Sequence, residues 1–470
     1  MTQHQRKYYD VDISDIPFIE YTNIYVGNMA WINRGIHKSI ATYDLVVREK
    51  PANWGFYIFD GLERYVDYLL RLRFDDDAIE TLKMIGVIDS PETENFYRTF
   101  AFSGDIHALA EGTIFFPGEP IVRVTAPLAE ANMITAFTMN AFGYVVRLTT
   151  KVARVKISAR EKMIVAGATV RLAGFEQGIW IGTRAPYLLD SPMPQFTPQS
   201  YRKFPEIKPT GKLSANINHA FIKSFPTEPE AFRYVFDVLQ TKADLFLVMI
   251  DTYGLRHGLE VFITEAKKSE FQQKQFMVTI DSGDILEESR YVRSRLDEVG
   301  FADVRIQVFS NLDEYKIKYL MDEKAPIDCF ISSTEVANIT DNPKFEAVYK
   351  MAELRHEDGT IEYKAKLAQG KGSLPGRKQI FRVFDQAGMM VEDIIGLETE
   401  QLGEPLLQKF VDNGKHAVSF ENIDGVKARV KAQLASLPEP YKLTYEPPEY
   451  PVHTSEQLAG ILEEVRQQHQ

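Results

Sequence analysis

Four short apolar runs end in side chains able to do chemistry. FLVMID (246–251), FMVTID (276–281), VRIQVFS (304–310) and DCFISST (328–334) finish on carboxylates and hydroxyls, and Asp251, Asp281, Ser310 and Ser333 fall 30, 29 and 23 residues apart. That spacing is the pitch of a strand–helix unit. The runs are continuously apolar rather than alternating, the pattern of parallel strands buried on both faces. Parallel strands point the same way, so their carboxyl ends gather on one rim, and barrels built from such units keep their reactive groups there. By that argument Asp251, Asp281, Asp284 and Thr334 are the first candidates for a site. The competing reading of paired acids at a strand end is the capping of the next helix.

The elements that must position these residues are legible around them. In DILEESRYVRSRLDEVG (284–300), Ile285, Tyr291, Val292, Leu296 and Val299 recur on one helical face. Upstream, YTNIYVGNMAWINRG (21–35) reads as a helix opened by Thr22 or Asn23 and closed by Gly35. ATYDLVVRE (41–49) alternates as a strand, and short strands punctuated by Gly and Pro run from 102 to 125. LAEANMITAFTMNAFGYVVRLTTKVARVKISAR reads as one long helix or two. These features divide the chain into an α+β domain (1–150), a barrel-like domain (151–385) and a C-terminal segment (386–470) packing on both. Residues 186–213 carry six prolines and little periodicity, the pattern of a long loop of the lid or binding kind.

Composition narrows the class. The 470 residues are 44% hydrophobic and 26% charged, which is ordinary for a globular protein, and the formal charge of −12 with no basic block argues against a nucleic-acid partner. The single cysteine, Cys329, lies inside an apolar run and reads as a buried thiol rather than a nucleophile. No run of 18 apolar residues and no apolar leader occurs, so the expected location is cytoplasmic with no membrane partner. The GKG at 370–372 lacks P-loop spacing, and GKGSLPGRK (370–378) reads as a solvated basic turn or a loop closing over phosphates.

The ordered pieces TNIYVGNMAWINRG, FYIFDGLERYVDYL, FSGDIHALAEGTIFFPGEPIVRV, NHAFIKSFPTEPEAFR, DTYG, IDSGD, SNLDEYKI, ITDNP with VYKMAE, and GKGSLPGRKQIFRVFD resemble the nicotinate phosphoribosyltransferase family over roughly residues 20–400. The resemblance implies an α/β fold, an irregular (β/α) barrel of the type II phosphoribosyltransferase kind preceded by an α+β sandwich domain. It implies a homodimer with shared sites. It also implies an enzyme that joins nicotinate to 5-phosphoribosyl 1-diphosphate, giving nicotinate mononucleotide and diphosphate for NAD biosynthesis, with ATP as co-substrate and Mg²⁺. By the same resemblance His219 is the phosphorylated histidine, a role that a neutral imidazole suits near pH 7. Tyr25 is the aromatic that a neighbouring subunit lays on the pyridine ring. Asp281 is catalytic, with Asp281 and Asp284 facing Mg²⁺ or ribose hydroxyls. Arg171, Arg184 and Arg233 contact phosphate or carboxylate. Asn216 and Asp251 are also placed in the substrate site, as are Ser332, Ser333 and Thr334.

The chain departs from the family pattern at several of these positions. GATVRLAG (167–174) keeps Arg171 but has Val170 where a second arginine is expected. Ala215 and Asn216 replace a Gly-Thr pair, Thr279 replaces an arginine and Gly254 an aspartate, while Ile331-Ser332-Ser333-Thr334 stands in place of a Gly-x-Gly-Thr phosphate loop. Each lost arginine removes a charge-assisted contact of about 1.5–3 kcal/mol. The proline-rich stretch brings Arg202, Lys203, Lys208 and Lys212 as possible replacements. Three outcomes stay open on this reading: a nicotinate enzyme with a rebuilt anion site, the same reaction on another pyridine-like base, or a catalytically silent homologue with a binding or regulatory role.

Overall fold

The computed structural model describes residues 20–167, 175–191, 201, 202, 204, 206–208, 213–368 and 370–469. The chain folds into two units, one of residues 1–150 and 341–470, the other of residues 151–340. Residues 341–385, expected in the barrel, therefore belong to the first unit. The reason is strand pairing. Ala347–Arg355 runs antiparallel to Ile40–Val47, and Lys378–Phe384 pairs with Met390–Leu397. The C-terminal segment likewise supplies that unit with strands, Leu407–Asp412 lying antiparallel to Asp105–Leu109.

The first unit is α+β, built on a seven-stranded sheet with Ile40–Val47 near its centre. Its helix Thr22–Asn33 ends as the sequence reads, with Gly35 at φ +71 beyond the last turn. The opening differs: Tyr21 is the N-cap and makes no side-chain cap bond. The run after Pro127 forms two helices, Leu128–Met133 and Thr135–Ala159. The basic GKGSLPGRK segment is anchored from inside. Lys378, 2% exposed, donates to the carbonyls of Leu374, Pro375 and Gly376 and pairs with Asp44 at 2.7 Å.

The second unit is a curled sheet of six parallel strands: β1 (Met163–Ala166), β2 (Leu213–Ile217), β3 (Ala243–Met249), β4 (Phe276–Ile280), β5 (Arg305–Val308) and β6 (Cys329–Ser332). The spatial order is β1-β6-β5-β4-β3-β2, every pair parallel, which makes the barrel of the sequence reading an irregular, open one. Both faces of the sheet are covered. On one, Val165, Leu247, Met277, Cys329 and Ile331 form a single apolar cluster. On the other, Phe246 stacks on Phe276 at 4.9 Å, and Phe236, Phe262 and Phe271 pack around them. Full burial of such side chains contributes about 1.5–3 kcal/mol each, so the strands are fixed from both sides. Cys329 is fully buried and burial pushes its thiol up to about 12, so it serves as core.

The helix Thr135–Ala159 brings two cations to its C-terminal part. Lys151 and Arg154 meet Glu314, which is completely buried, at 2.5 and 2.9 Å. A buried carboxylate is tolerable only with such partners.

In the first unit, burial and the neighbouring Arg123 hold the His107 imidazole down to about 4. The unfolded chain binds that proton near the ordinary value of 6.5 while the folded chain does not, so stability falls as pH drops from about 6.5 to about 4. His107→Gln is expected to flatten this part of the acid-denaturation curve and to leave stability above pH 7 little changed. Urea melts at pH 7.5, 6 and 4.5 measure it.

Candidate active site

The register of the parallel strands sets the site. Ile217 lies opposite Val248, and Met249 opposite Thr279, so the residues just beyond β2, β3 and β4 come out side by side. His219 opens the short helix His219–Lys223 after β2, held there by the Asn218 side chain, which accepts the Phe221 amide at 2.9 Å. Asp251 and Thr252 follow β3, and Ser282 follows β4.

Three strand tips are thereby linked. His219 Nδ1 lies 3.1 Å from the Thr252 hydroxyl, and His219 Nε2 lies 3.9 Å from Asp251 Oδ1. Ser282 donates its hydroxyl to Asp251 Oδ2 at 3.0 Å. The His219 side chain is 38% exposed and that of Asp251 6%, so the imidazole is open to a ligand while its carboxylate neighbour is shielded from water. A carboxylate facing Nε2 favours the tautomer with its proton there. Nδ1 then keeps its lone pair and accepts from Thr252, an assignment made from the network. An imidazole so oriented, with one nitrogen nucleophilic and the other facing a carboxylate, is equipped to accept a phosphoryl or acyl group.

Two glycines let the loop after β3 take this path. Gly254 caps the helix Leu255–Ala266 at φ +115, a conformation that L side chains rarely adopt. In the same helix a Cβ on Gly258 would lie 2.0 Å from the Ile250 carbonyl, so only glycine lets the helix press against the residue preceding Asp251.

Other residues named from the sequence fall differently. Asp284 is the N-cap of Ile285–Glu298, its Oδ1 accepting the amides of Leu286 and Glu287 at 3.0 and 3.1 Å, so this oxygen serves the capping role that the sequence also allowed. Asp281 lies half-buried at the tip of β4. Among the described residues no cluster of three or more His, Cys, Asp or Glu is arranged to hold a metal ion. Arg233 is not on the rim: it projects from the helix Glu228–Tyr234 and binds Glu265 at 3.0 Å. Arg184, expected to meet an anion, is 1% exposed within the helix Phe175–Leu188. Asn216 is exposed near the end of β2. Tyr25 is 3% exposed and packs on Tyr97 at 6.1 Å, so in the single chain its ring is a core residue rather than an open stacking face. Arg171, Lys203, Lys212 and much of the 186–213 stretch lie outside the described residues.

The hydroxyls that stand in for a phosphate loop are also committed. Ser332 is fully buried and donates to the Leu312 carbonyl, and Ser333 donates to the Gly167 carbonyl at 2.7 Å. They fasten the tip of β6 to its surroundings. Thr334 begins the helix Thr334–Asn338 directly after them. At the former arginine position, Thr279 is buried inside the sheet and accepts from Gln307 at 3.1 Å. Sequence reasoning missed Thr252 and Ser282. Each sits next to a singled-out aspartate, and the parallel register was the signal that would have placed them against His219. In the first unit, a separate cavity of about 610 Å³ is lined by Arg48, Lys350, Lys366, Lys378 and Arg466.

Comparison with known proteins bears on what this site does. The family models for the nicotinate phosphoribosyltransferase N-terminal and C-terminal domains match residues 24–142 and 401–462. A nicotinate phosphoribosyltransferase of Mycobacterium tuberculosis is 30% identical over 457 residues, covering 95% of this chain and 93% of the relative. The chain belongs to the nicotinate phosphoribosyltransferase family. Its Bacillus subtilis member is 30% identical over 473 residues, covering 93% of this chain and 92% of that relative. The fold agrees. The crystal structure of human nicotinic acid phosphoribosyltransferase superimposes with a TM-score of 0.72 at 18% identity, covering 95% of this chain and 99% of that one. A nicotinate-nucleotide pyrophosphorylase from Pyrococcus furiosus gives 0.68 at 18% identity, covering 92% and 98%. The family's type II architecture is thus present with β6 ending in serines.

Removing the Ser332 hydroxyl leaves the Leu312 carbonyl buried and unpaired. Ser332→Ala is expected to destabilise the protein by about 1–2 kcal/mol, read as a lower midpoint in urea with an unchanged slope. A stability change near zero would make Ser332 a ligand contact again.

Proposed function

We propose that the protein joins nicotinate to 5-phosphoribosyl 1-diphosphate, releasing nicotinate mononucleotide and diphosphate for NAD biosynthesis, with ATP hydrolysis coupled through a phosphoryl group on His219. The observation that carries this reading is the 30% identity to nicotinate phosphoribosyltransferases along nearly the whole chain. The His219–Asp251–Thr252 arrangement supports the ATP part, because it presents a half-exposed imidazole whose two nitrogens have distinct surroundings.

The chain's own groups divide the work. His219 receives the phosphoryl group. Asp251 faces the cation that results, and Thr252 orients the ring beforehand, its hydroxyl giving up Nδ1 as the phosphoryl group bonds there. Mg²⁺ enters with the diphosphate as part of the substrate. It takes oxygen ligands and keeps several waters, so one or two carboxylates suffice, and Asp281, half-buried at the tip of β4, would supply one. Asp284 caps its helix through Oδ1 alone, which leaves Oδ2 for the same need. The protein works as a homodimer with shared sites and in the cytoplasm on this reading. Among the described residues no helix is long and apolar enough to cross a membrane.

A second reading, an uncharged pyridine such as nicotinamide as acceptor, is favoured by one observation. Arg184 and Arg233, two of the three guanidinium groups expected to meet a phosphate or a carboxylate, are respectively buried in a helix and paired with Glu265. The test is direct. The purified protein is incubated with phosphoribosyl diphosphate, Mg²⁺ and ATP and either nicotinate or nicotinamide, and mononucleotide and diphosphate are measured. Turnover with nicotinate at least about tenfold above nicotinamide is expected. The reverse preference selects the second reading, and absence of product with both bases overturns the enzymatic one.

A further inference from the structure

Asp251 uses only one of its oxygens in the described structure. Oδ2 accepts the Ser282 hydroxyl at 3.0 Å, whereas Oδ1 is buried without a hydrogen-bond partner and lies 3.9 Å from His219 Nε2. A shielded carboxylate oxygen lacking a donor is unfavourable unless a partner reaches it in some functional state. The gap to Nε2 is about 1 Å beyond hydrogen-bond range, so a small turn of the half-exposed imidazole closes it.

We infer that Ser282 is a positioning residue for phosphoryl transfer at His219: by fixing Asp251 Oδ2 from the neighbouring strand tip, it keeps Oδ1 turned on the imidazole. The inference rests on reading His219 as the phosphoryl acceptor. In that step the bond between the γ-phosphorus and its bridging oxygen breaks, and the nucleoside diphosphate leaves with the electron pair. The imidazole lone pair forms the new P–N bond. The ring becomes cationic and keeps its other proton, which points at Asp251 Oδ1. Asp251 therefore gains its partner as charge develops, the condition under which a pre-oriented carboxylate accelerates a step. Ser282 does not touch the reacting atoms. Its contribution is to remove the carboxylate's freedom to rotate away, a role that depends on β3 and β4 ending at matching heights, with Met249 opposite Thr279.

The test follows incorporation of label from γ-labelled ATP into the full-length protein, with His219→Asn as the reference for label on that residue. Ser282 is exposed, so substitution there leaves the core intact. Ser282→Ala is expected to slow labelling at saturating ATP about tenfold while the ATP concentration for half-maximal rate stays within about twofold. Ser282→Thr, which retains the donor, is expected to stay close to the wild-type rate. Wild-type labelling that Ser282→Ala leaves unchanged overturns the inference alone, as does an equal loss in Ser282→Ala and Ser282→Thr. No His219-dependent label in the wild type overturns the phosphoryl-acceptor reading, and the inference falls with it.

Discussion

The parallel register of β2, β3 and β4 is the constraint on which the site depends. Ile217 opposite Val248 and Met249 opposite Thr279 bring three chain segments that are far apart in sequence to adjacent tips. Side chains alternate faces along a strand, so a slip of one residue would turn a whole strand's inward set outward. The register is held by burial on both faces: Leu247 and Met277 on one, Phe246 and Phe276 on the other. Packing that looks purely structural therefore decides whether Asp251 and Thr252 reach the two nitrogens of His219.

The rim combines groups tuned for chemistry with groups that only hold shape, and residue type alone does not separate them. Asp251 and Asp284 are both aspartates at strand ends. The first is shielded, with one oxygen unengaged beside an imidazole, and the second is an exposed helix cap. Ser282 and Ser332 are both rim serines. Ser282 steers a carboxylate, whereas Ser332 is sealed against the Leu312 carbonyl. Gly254 and Gly258 serve the same end from the backbone, one by its positive φ and one by its missing Cβ.

Much of the fold was legible because its signals are local. The four apolar runs appear as β3 to β6, and the helix read at 284–300 appears at Ile285–Glu298. What the sequence hid was non-local. Nothing in residues 341–385 announces that they pair with Ile40–Val47, and only sheet topology assigns them to the first unit. The site was half legible. His219 was reached through family resemblance and Asp251 through strand spacing, but their union with Thr252 and Ser282 follows from register. Arg233, Asp284 and Ser332 make local bonds that the sequence did not show, because a side chain suited to binding ions or phosphate is equally suited to an ion pair, a cap or a buried hydrogen bond. Tyr25 packs on Tyr97 in the single chain, a placement hidden in the sequence because its helix carries apolar residues on every side.

The central claim is that His219, set between Thr252 and Asp251, carries the phosphoryl group that couples ATP to mononucleotide synthesis. The most direct measurement is the ratio of ATP hydrolysed to nicotinate mononucleotide formed at steady state, in the wild type and in His219→Asn. The account predicts a ratio near one in the wild type and a fall to the no-ATP baseline in the variant, with residual synthesis that ATP no longer stimulates. An unchanged ratio in His219→Asn would contradict it.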